Sequence, residues 1–330
     1  MKLVLNLLLV VSIFIGCSSK QYFEPENTYD LDTNIMELEN SIKVFNKDGV
    51  TLENNKFISK DGISKYSLPQ GYNFLNKVNH TVLASNDKAQ LLIKDDSGKE
   101  SIILFEYNVI AVSKKQNLLA LLFSNNVVGL YNIDDKKFTF KEYLKSSVLN
   151  DIRIASPIFI DDIVLLPSLD GKIVVTSIET KKIIKTINVD PNSKINNIIY
   201  LNTFGDTMIA ATSNKVISLL DGSFAVKDYD IKDIVASKSN VFVATLDGKI
   251  IKLDFTLDEQ SVKKFKFAKI YALAYTDTLY ALESQGYLIK LNDELTENKV
   301  YDFDFNENKK SIVLKDTLYF DSSYIKLKLK

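Results

Sequence analysis

The chain has 330 residues, 46% of them hydrophobic and 25% charged, and its formal net charge is −1. This composition predicts a globular protein and excludes an intrinsically disordered one, and the near-zero charge argues against a nucleic-acid partner. The sequence contains one Cys and one His, which excludes an intramolecular disulfide and a Cys/His metal cluster.

The first sixteen residues predict a signal peptide. Lys2 precedes an apolar run over residues 3–15, which has the length of a signal-peptide core and is short for a membrane span. Residues 13–17 resemble a lipobox, in which a small residue, here Gly16, precedes the Cys that receives the lipid. We therefore predict cleavage before Cys17 and lipid attachment at Cys17. An ordinary signal peptide with an incidental Cys is the alternative.

Residues 17–37 predict the lipidated N-terminus and a flexible tether, because the segment that follows the Cys is polar and contains a Pro. Ser18 follows the Cys where inner-membrane retention uses Asp. This resembles the pattern that sorts lipoproteins to the outer membrane of a diderm cell, facing the periplasm. The expected membrane contact is thus the lipid on Cys17.

Residues 38–330 repeat one pattern, in which a polar turn joins two short apolar runs. The turns centre on residues 87, 125, 170, 214, 247, 285 and 322 and lie 33 to 45 residues apart. This spacing is close to the ~40–50 residues of a four-stranded propeller blade. Two turns read Asp-Gly, at Asp170-Gly171 and Asp247-Gly248, which predicts type I′ hairpins with positive φ at both positions. We assign these four residues a structural role.

The repeat predicts an all-β fold, a β-propeller of seven four-stranded antiparallel blades. Because the chain ends after the third strand of the last blade, we expect an N-terminal strand, from residues 41–45 or 50–53, to close the ring. An eighth blade from residues 38–70, with Asp61-Gly62 as its turn, is the alternative. A β-sandwich or a solenoid is a third interpretation.

More polar, alternating runs follow the hairpins, at residues 264–267 and 301–305 for example. Alternation predicts strands with one buried and one exposed face. We expect these runs to form the outer strand of each blade, where charged side chains discourage pairing between edges.

The sequence indicates no catalytic residue, no metal site and no cofactor. His80, the single histidine, has no second His or free Cys with which to form a nucleophile pair. Asp30, Asp32 and Asn34 begin like an EF-hand loop, but Ile35 replaces the turn Gly. No partner-binding residue can be named from the sequence.

The phrase Leu-Asp-Gly-Lys, at residues 169–172 and 246–249, is followed by an apolar strand and resembles the PQQ-type propeller repeat. Together with the lipobox, such repeats over roughly residues 40–330 resemble the BamB family, the propeller lipoproteins of the outer-membrane β-barrel assembly machinery. The resemblance implies a non-catalytic scaffold, a monomer within a larger complex, whose partners are outer-membrane assembly proteins.

Two other functions remain open at this point. A glycan- or peptidoglycan-binding propeller lipoprotein would expose several Tyr or Phe rings in its central funnel. A degenerate quinoprotein-type enzyme, or a hydrolase, would gather carboxylates there. A funnel lined by Lys, Ser and Asn would argue against an enzyme.

Overall fold

The computed structural model describes residues 21–147, 153–193, 196–303 and 308–329. These residues form 32 strands in eight four-stranded antiparallel sheets. Each sheet is a meander, and the first strands of most successive sheets contact one another, which places them around the centre of a ring. In the described part of the chain, no helix is long and apolar enough to cross a membrane.

The strands of the first four blades are short and follow one another in chain order. After β1 (Met36–Glu37), they are β2 (Ile42–Asn46), β3 (Gly49–Leu52), β4 (Lys56–Ser59) and β5 (Gly62–Ser67) in blade one; β6 (Asn73–Val78), β7 (Thr81–Ser85), β8 (Gln90–Lys94) and β9 (Glu100–Leu104) in blade two; β10 (Val109–Lys115), β11 (Leu118–Phe123), β12 (Val127–Asn132) and β13 (Lys137–Tyr143) in blade three; and β14 (Ile158–Ile160), β15 (Ile163–Pro167), β16 (Lys172–Ser177) and β17 (Ile183–Asn188) in blade four.

The other four blades continue this order. They contain β18 (Tyr200–Phe204), β19 (Thr207–Ala211), β20 (Lys215–Leu220) and β21 (Ser223–Asp228) in blade five; β22 (Ile231–Ala236), β23 (Asn240–Thr245), β24 (Lys249–Asp254) and β25 (Glu259–Lys264) in blade six; β26 (Ile270–Tyr275), β27 (Leu279–Glu283), β28 (Tyr287–Leu291) and β29 (Asn298–Asp302) in blade seven; and β30 (Ser311–Leu314), β31 (Thr317–Phe320) and β32 (Ser323–Lys326) in blade eight, which β1 completes.

An N-terminal strand closes the ring, as predicted, but it is a different strand from those expected. β1 pairs antiparallel with β32, with Met36 opposite Tyr324, and so forms the outer strand of blade eight. Residues 41–45 and 50–53 lie in blade one instead. The count is therefore eight blades, the alternative, and not seven. Asp61-Gly62 is a turn of blade one, but it joins the third strand to the fourth.

Hydrophobic packing between neighbouring blades holds the ring together. The buried apolar residues of the described chain fall into eight clusters, and each cluster joins two successive blades. One cluster contains Val50 and Ile58 of blade one together with Leu314 and Tyr319 of blade eight. Since buried apolar area is the main favourable term in folding, this cluster contributes to closing the ring.

One hydrogen bond recurs in all eight blades. The N–H of the first residue after the outer strand donates to the carbonyl of a residue in the turn between the second and third strands, at 2.7–3.3 Å. The donors and acceptors are Leu68 and Asn55, Phe105 and Ala89, Leu144 and Asn126, Val189 and Gly171, Tyr229 and Asn214, Phe265 and Gly248, Phe303 and Gly286, and Leu38 and Ser322. These turns, seven of which the sequence predicted, thus bond each blade to the connection that leaves it.

The Asp-Gly turns are hairpin turns, as predicted, but they are not type I′. Only the glycines have positive φ, 74° at Gly171 and 81° at Gly248, as in three-residue loops that end on a left-handed residue. A Cβ at Gly171 would lie 2.5 Å from the Asp190 carbonyl oxygen, and one at Gly248 would lie 2.6 Å from that of Phe265. Close backbone approach and the left-handed conformation together require Gly here.

The predicted outer strand at residues 264–267 is wrong in its position. β25 ends at Lys264, and the following residues form the connection to blade seven. Phe265 is buried there, whereas Phe267 is exposed with φ of 64°. Of residues 301–305, Tyr301 and Asp302 end β29, and residues 304 and 305 lie outside the described residues.

Candidate functional site

The centre of the ring contains a cavity of about 340 Å³. It is bordered by the inner strands of blades one, six, seven and eight and by Arg153, which precedes blade four. The residues that line it are Phe45, Asn46, Lys47, Arg153, Lys232, Asp233, Val235, Tyr271, Ala272, Leu273, Ser311, Ile312 and Val313.

Polar contacts cross this central cavity, which we call the channel, from blade to blade. Lys47 Nζ of blade one lies 3.1 Å from Asp233 Oδ1 of blade six. Arg153 Nη1 donates to the Lys232 carbonyl of blade six. From the same segment as Arg153, Ser156 Oγ donates to Asp48 Oδ2 at 2.5 Å. Such contacts satisfy buried polar groups and fix the distance between blades that do not touch through their cores.

The described residues that line this cavity include one carboxylate and two aromatic rings, which bear on the alternative functions. The carboxylate, Asp233, is engaged by Lys47 and by the Leu273 N–H, which donates to Oδ2 at 2.8 Å. The aromatic lining residues among those described are Phe45 and Tyr271, and Lys232 Nζ lies 5.1 Å from the Tyr271 ring centre. A sugar would therefore have to displace a cation to stack on Tyr271.

The remaining candidates for chemistry are on the surface. His80 is exposed in the turn between β6 and β7, and its Nδ1 lies 2.7 Å from Asp96 Oδ2. Among the described residues, which include Asp30, Asp32 and Asn34, no group of three or more His, Cys, Asp or Glu could hold a metal ion.

Asp170 belongs to a buried polar network that joins blades three and four. Asn126 Nδ2 donates to Asp170 Oδ1 at 3.0 Å, and Lys172 Nζ lies 2.7 Å from Asp170 Oδ2. The Leu169 N–H donates to Asn126 Oδ1 at 2.7 Å. Burial by itself raises the pKa of Asp170, but hydrogen bonds from Lys172, Asn126 and Ser168 outweigh it and hold the pKa below its ordinary value. The network therefore favours the ionised form of Asp170 between blades three and four.

Asp247 occupies the equivalent turn of blade six, and its surroundings differ. The Asp247 carboxylate accepts a hydrogen bond from Thr245 Oγ1 at 2.6 Å and lies 3.1 Å from both Lys249 and Lys264. The bond from Thr245, together with the two lysines, lowers the pKa of Asp247 strongly despite some burial. The structure does not bring the two Asp-Gly turns together, because they lie two blades apart.

Several outer strands expose apolar side chains, but among the described ones β9 and β21 each expose two large ones at alternate positions along an unpaired edge, and we call these two the open edges. The residues are Ile102 and Leu104 in β9, and Phe224 and Val226 in β21. In each pair the two residues are two positions apart and so share one face of the strand. The sequence did not identify these edges, since apolar alternation alone does not tell an inner strand from an outer one.

The outer edge of blade seven is covered by the chain itself. Tyr29 forms a parallel bridge with Tyr301 of β29, and its N–H donates to the Val300 carbonyl at 2.9 Å. The Asp302 N–H donates to the Tyr29 carbonyl at 3.1 Å. This edge therefore accepts an extended segment by main-chain pairing.

The expected tether contacts the propeller over its described part. Phe23 is buried between blades six and seven, where its ring meets Phe265 at 5.8 Å and Tyr287 at 5.6 Å, edge to face in both cases. Cys17 and the signal peptide lie outside the described residues, so lipid attachment stays a prediction.

The fold and these surfaces define an eight-bladed β-propeller with a bridged channel and open blade edges. Among solved structures it is similar to BamB from Moraxella catarrhalis, with a TM-score of 0.66, 12% identity, and coverage of 92% of this chain and 99% of that one. It is also similar to the computationally designed protein Ika8, with a TM-score of 0.62, 12% identity, and coverage of 90% and 98%. At these identities the likeness shows the fold alone, and the fold is that of BamB.

In sequence, the chain is similar to the plasminogen-binding protein PgbB of Helicobacter pylori. It is 26% identical to the proteins of strains J99 and 26695, over 97% of this chain and 70% of the relative's length. No family model matches the chain.

Proposed function

We propose that the protein is a lipid-anchored propeller of the bacterial cell envelope that binds other proteins and catalyses no reaction. The observation that carries this proposal is the pair of open edges. An unpaired edge presents a row of N–H and C=O groups to solvent and is a template for a further strand. Where its side chains are also apolar, an extended partner segment gains both main-chain pairing and apolar burial.

The edges of this propeller are not equally protected, which supports a specific role for two of them. β25 carries Glu259, Lys263 and Lys264, and such charges oppose edge-to-edge pairing. β21 instead places Phe224 and Val226 on its exposed face, 53% and 48% exposed. An apolar, uncovered edge that served no partner would be a liability for aggregation.

Blade seven offers a precedent within the same molecule. There, Tyr29 pairs with β29 through two main-chain hydrogen bonds, while Phe23 fills a gap between blades. A partner that adds to an open edge would use the same two kinds of contact, pairing by β-augmentation and anchoring by an aromatic or aliphatic side chain.

The anchoring part of the proposal rests on the sequence around Cys17. A lipidated Cys17 would hold the propeller at a membrane surface, and by the sorting pattern at Ser18 this is the outer membrane on its periplasmic side. Two or more acyl chains anchor a protein stably, whereas one alone binds marginally.

Two partner classes follow from the similarities. The BamB-like fold supports outer-membrane assembly proteins as partners, because their unfolded strands could pair with an open edge. The similarity to PgbB supports plasminogen as a partner, and this would require the propeller to reach the cell surface. Protease treatment of intact cells separates them, since a periplasm-facing propeller is protected and a surface-exposed one is digested.

The experiment is affinity purification of the tagged protein from crosslinked, detergent-solubilised membranes, together with three variants. Cys17→Ser removes the lipid site. Val226→Lys places a charge on an open edge. Val262→Lys is the matched control, because Val262 is 47% exposed and, like Val226, lies opposite the third residue of its neighbouring strand.

The proposal predicts that a barrel-assembly protein, or added plasminogen, is retained by the original chain and by Val262→Lys. The Val226→Lys variant is expected to retain at least tenfold less partner than the original chain. The Cys17→Ser variant is expected to recover less of the assembly protein, because without the lipid it leaves the membrane. Equal retention by Val226→Lys and Val262→Lys would contradict binding through the edge. Recovery of the protein alone, or with cell-wall material only, would contradict both partner classes.

A further inference from the structure

The two ends of the propeller can be told apart by topology. Strand direction alternates in a meander, so the turns between second and third strands lie at the same end as the blade-to-blade connections. We call this end the connection rim. The turns between first and second strands, and between third and fourth strands, lie at the opposite rim.

At blade six, the connection rim carries exposed apolar and basic side chains together, and we call this surface the basic patch. It consists of Leu246, Lys264, Lys266, Phe267 and Lys269, all of them exposed. They border one shallow concave surface with Gln21, the first described residue of the chain.

The basic patch carries three exposed lysines and borders two carboxylates. Asp247 lies 3.1 Å from Lys264, and the buried Glu283 carboxylate accepts a hydrogen bond from the Lys269 N–H at 3.0 Å. Among the described residues, Lys266 and Lys269 have no carboxylate within ion-pair distance. Lysines around protruding apolar side chains are typical of a protein surface that meets anionic lipid headgroups.

Phe267 is held in a conformation that costs energy. Its φ of 64° is in the left-handed region, which is rare for a bulky residue. Leu257 and Leu295 also have positive φ, but both are buried in the core, so packing compensates their strain. Phe267 is instead 40% exposed, and its described ring contact is with another exposed residue, Lys266, whose Nζ lies 4.9 Å from the ring centre. Strain without a packing return is found where a residue has a function.

The basic patch also lies where an anchor at Cys17 would start. Three residues lie between Cys17 and Gln21, which makes four residue-to-residue steps, and an extended chain spans at most about 3.6 Å per step. A lipidated Cys17 is therefore within about 14 Å of Gln21. Since Phe23 is buried between blades six and seven, this short connection starts from a fixed point.

We propose that the basic patch rests on the anionic lipid surface that holds the anchor, so that Phe267 and Leu246 enter the headgroup region. The inference rests on the proposed lipidation of Cys17, and it adds an orientation. The connection rim of blade six faces the bilayer, and the open edge of blade five stays clear for partners.

The absence of Trp from the chain permits a direct test. Phe267→Trp places a single fluorophore in the basic patch, and Phe224→Trp places the control fluorophore on the open edge of blade five. Each lipidated protein is reconstituted into vesicles of phosphatidylcholine and phosphatidylglycerol, with and without brominated acyl chains. Flotation of the vesicles reports anchoring independently of fluorescence.

We expect both proteins to float with the vesicles. The fluorescence of Phe267→Trp is expected to shift to the blue and to fall at least twofold with brominated lipid, while that of Phe224→Trp is unchanged. Flotation without quenching of Phe267→Trp overturns the orientation and leaves the anchor standing. No flotation of either protein overturns both proposals.

A charge reversal tests the same contact without relying on the ring alone. In the Phe267→Trp protein, the triple change Lys264→Glu, Lys266→Glu and Lys269→Glu is expected to abolish quenching while flotation persists. The matched control reverses three exposed lysines of the opposite rim, Lys136, Lys181 and Lys182, and is expected to retain quenching. Equal quenching in both triple variants would overturn the role of the lysines.

Discussion

The same tetrapeptide, Leu-Asp-Gly-Lys, occurs in blades four and six with opposite surroundings. Leu169 of blade four is 1% exposed, whereas Leu246 of blade six is 64% exposed. Both copies form the same turn, with a left-handed Gly whose carbonyl accepts from the connection that follows. The local sequence therefore specifies the turn, and the neighbouring blade decides whether its side chains are buried.

The difference originates in the preceding blade. In blade four, Asn126 from the turn of blade three receives the Leu169 N–H and donates to Asp170, while Leu169 packs with Leu122 and Leu166. In blade six, the Leu246 N–H donates to the Asp230 carbonyl, and no apolar cluster of the described residues includes Leu246. The copy in blade four joins two blades, whereas Leu246 of the copy in blade six is exposed and can contact a partner or a membrane.

The largest predicted effect compares the two leucines directly. Leu169→Ala leaves a cavity in a close-packed cluster and should lower the free energy of unfolding by about 3 kcal/mol. Leu246→Ala removes an exposed side chain and should change it by less than about 0.5 kcal/mol. Urea denaturation measures both, and equal losses would contradict the comparison.

A somewhat smaller effect is expected at the residue that joins the blades. Asn126→Ala removes the partner of the Leu169 N–H and of Asp170 Oδ1. It also places Ala at a φ of 63°, a left-handed conformation that Asn tolerates better than Ala does. We expect a loss of about 2–3 kcal/mol. Asn125→Ala, in the same turn, should cost about 0.5 kcal/mol. A similar loss for both would show that the network contributes little.

The pH dependence of stability should differ between the original chain and Asp170→Asn. Because the folded-state pKa of Asp170 is held below its ordinary value, the unfolded chain takes up this proton first on acidification. The stabilisation is complete above about pH 4 and is lost as the pH falls through the folded-state pKa. Asp170→Asn should be less stable at neutral pH, by less than Asn126→Ala, and should lose less on acidification. Thermal unfolding between pH 3 and 7 checks this, and parallel curves would contradict it.

The smallest effect concerns the strain at Phe267. Phe267→Gly relieves the left-handed conformation and Phe267→Ala does not, so the Gly variant should be the more stable by about 1 kcal/mol. Neither change should create a cavity, because the ring is exposed. Chemical denaturation of the two variants measures the difference, and a more stable Ala variant would contradict strain at this position.

Most of the ring could be predicted from the sequence because its turns carry a chemical signal. All seven predicted centres fall between second and third strands, and in four of these turns a Gly or Asn takes the left-handed conformation, at Asn126, Gly171, Gly248 and Gly286. Blade one departs from this pattern, because its turn between second and third strands is Asn54-Asn55, whereas its Asp-Gly pair, Asp61-Gly62, lies between the third and fourth strands. The closing strand β1 has two residues, too few for any periodicity.

The functional surfaces were less predictable. An exposed apolar pair such as Phe224 and Val226 has the same alternation as a half-buried strand. Whether the pair is exposed depends on whether another segment packs against it in the folded protein. The channel contacts of Arg153 with Lys232 and of Lys47 with Asp233 join residues 79 and 186 positions apart, which no local pattern reveals. The anchor at Cys17 has a local signal and stays a prediction from sequence alone.

The measurement that tests the central claim most directly is photo-crosslinking in intact cells, from a photoreactive residue placed at Phe224 or at Val262. The account predicts a discrete adduct with an identified barrel-assembly protein or with added plasminogen from Phe224. That adduct should disappear when Val226→Lys is introduced, and none should form from Val262. Adducts of equal yield from both positions, or a Phe224 adduct that survives Val226→Lys, would contradict binding through the open edge of blade five.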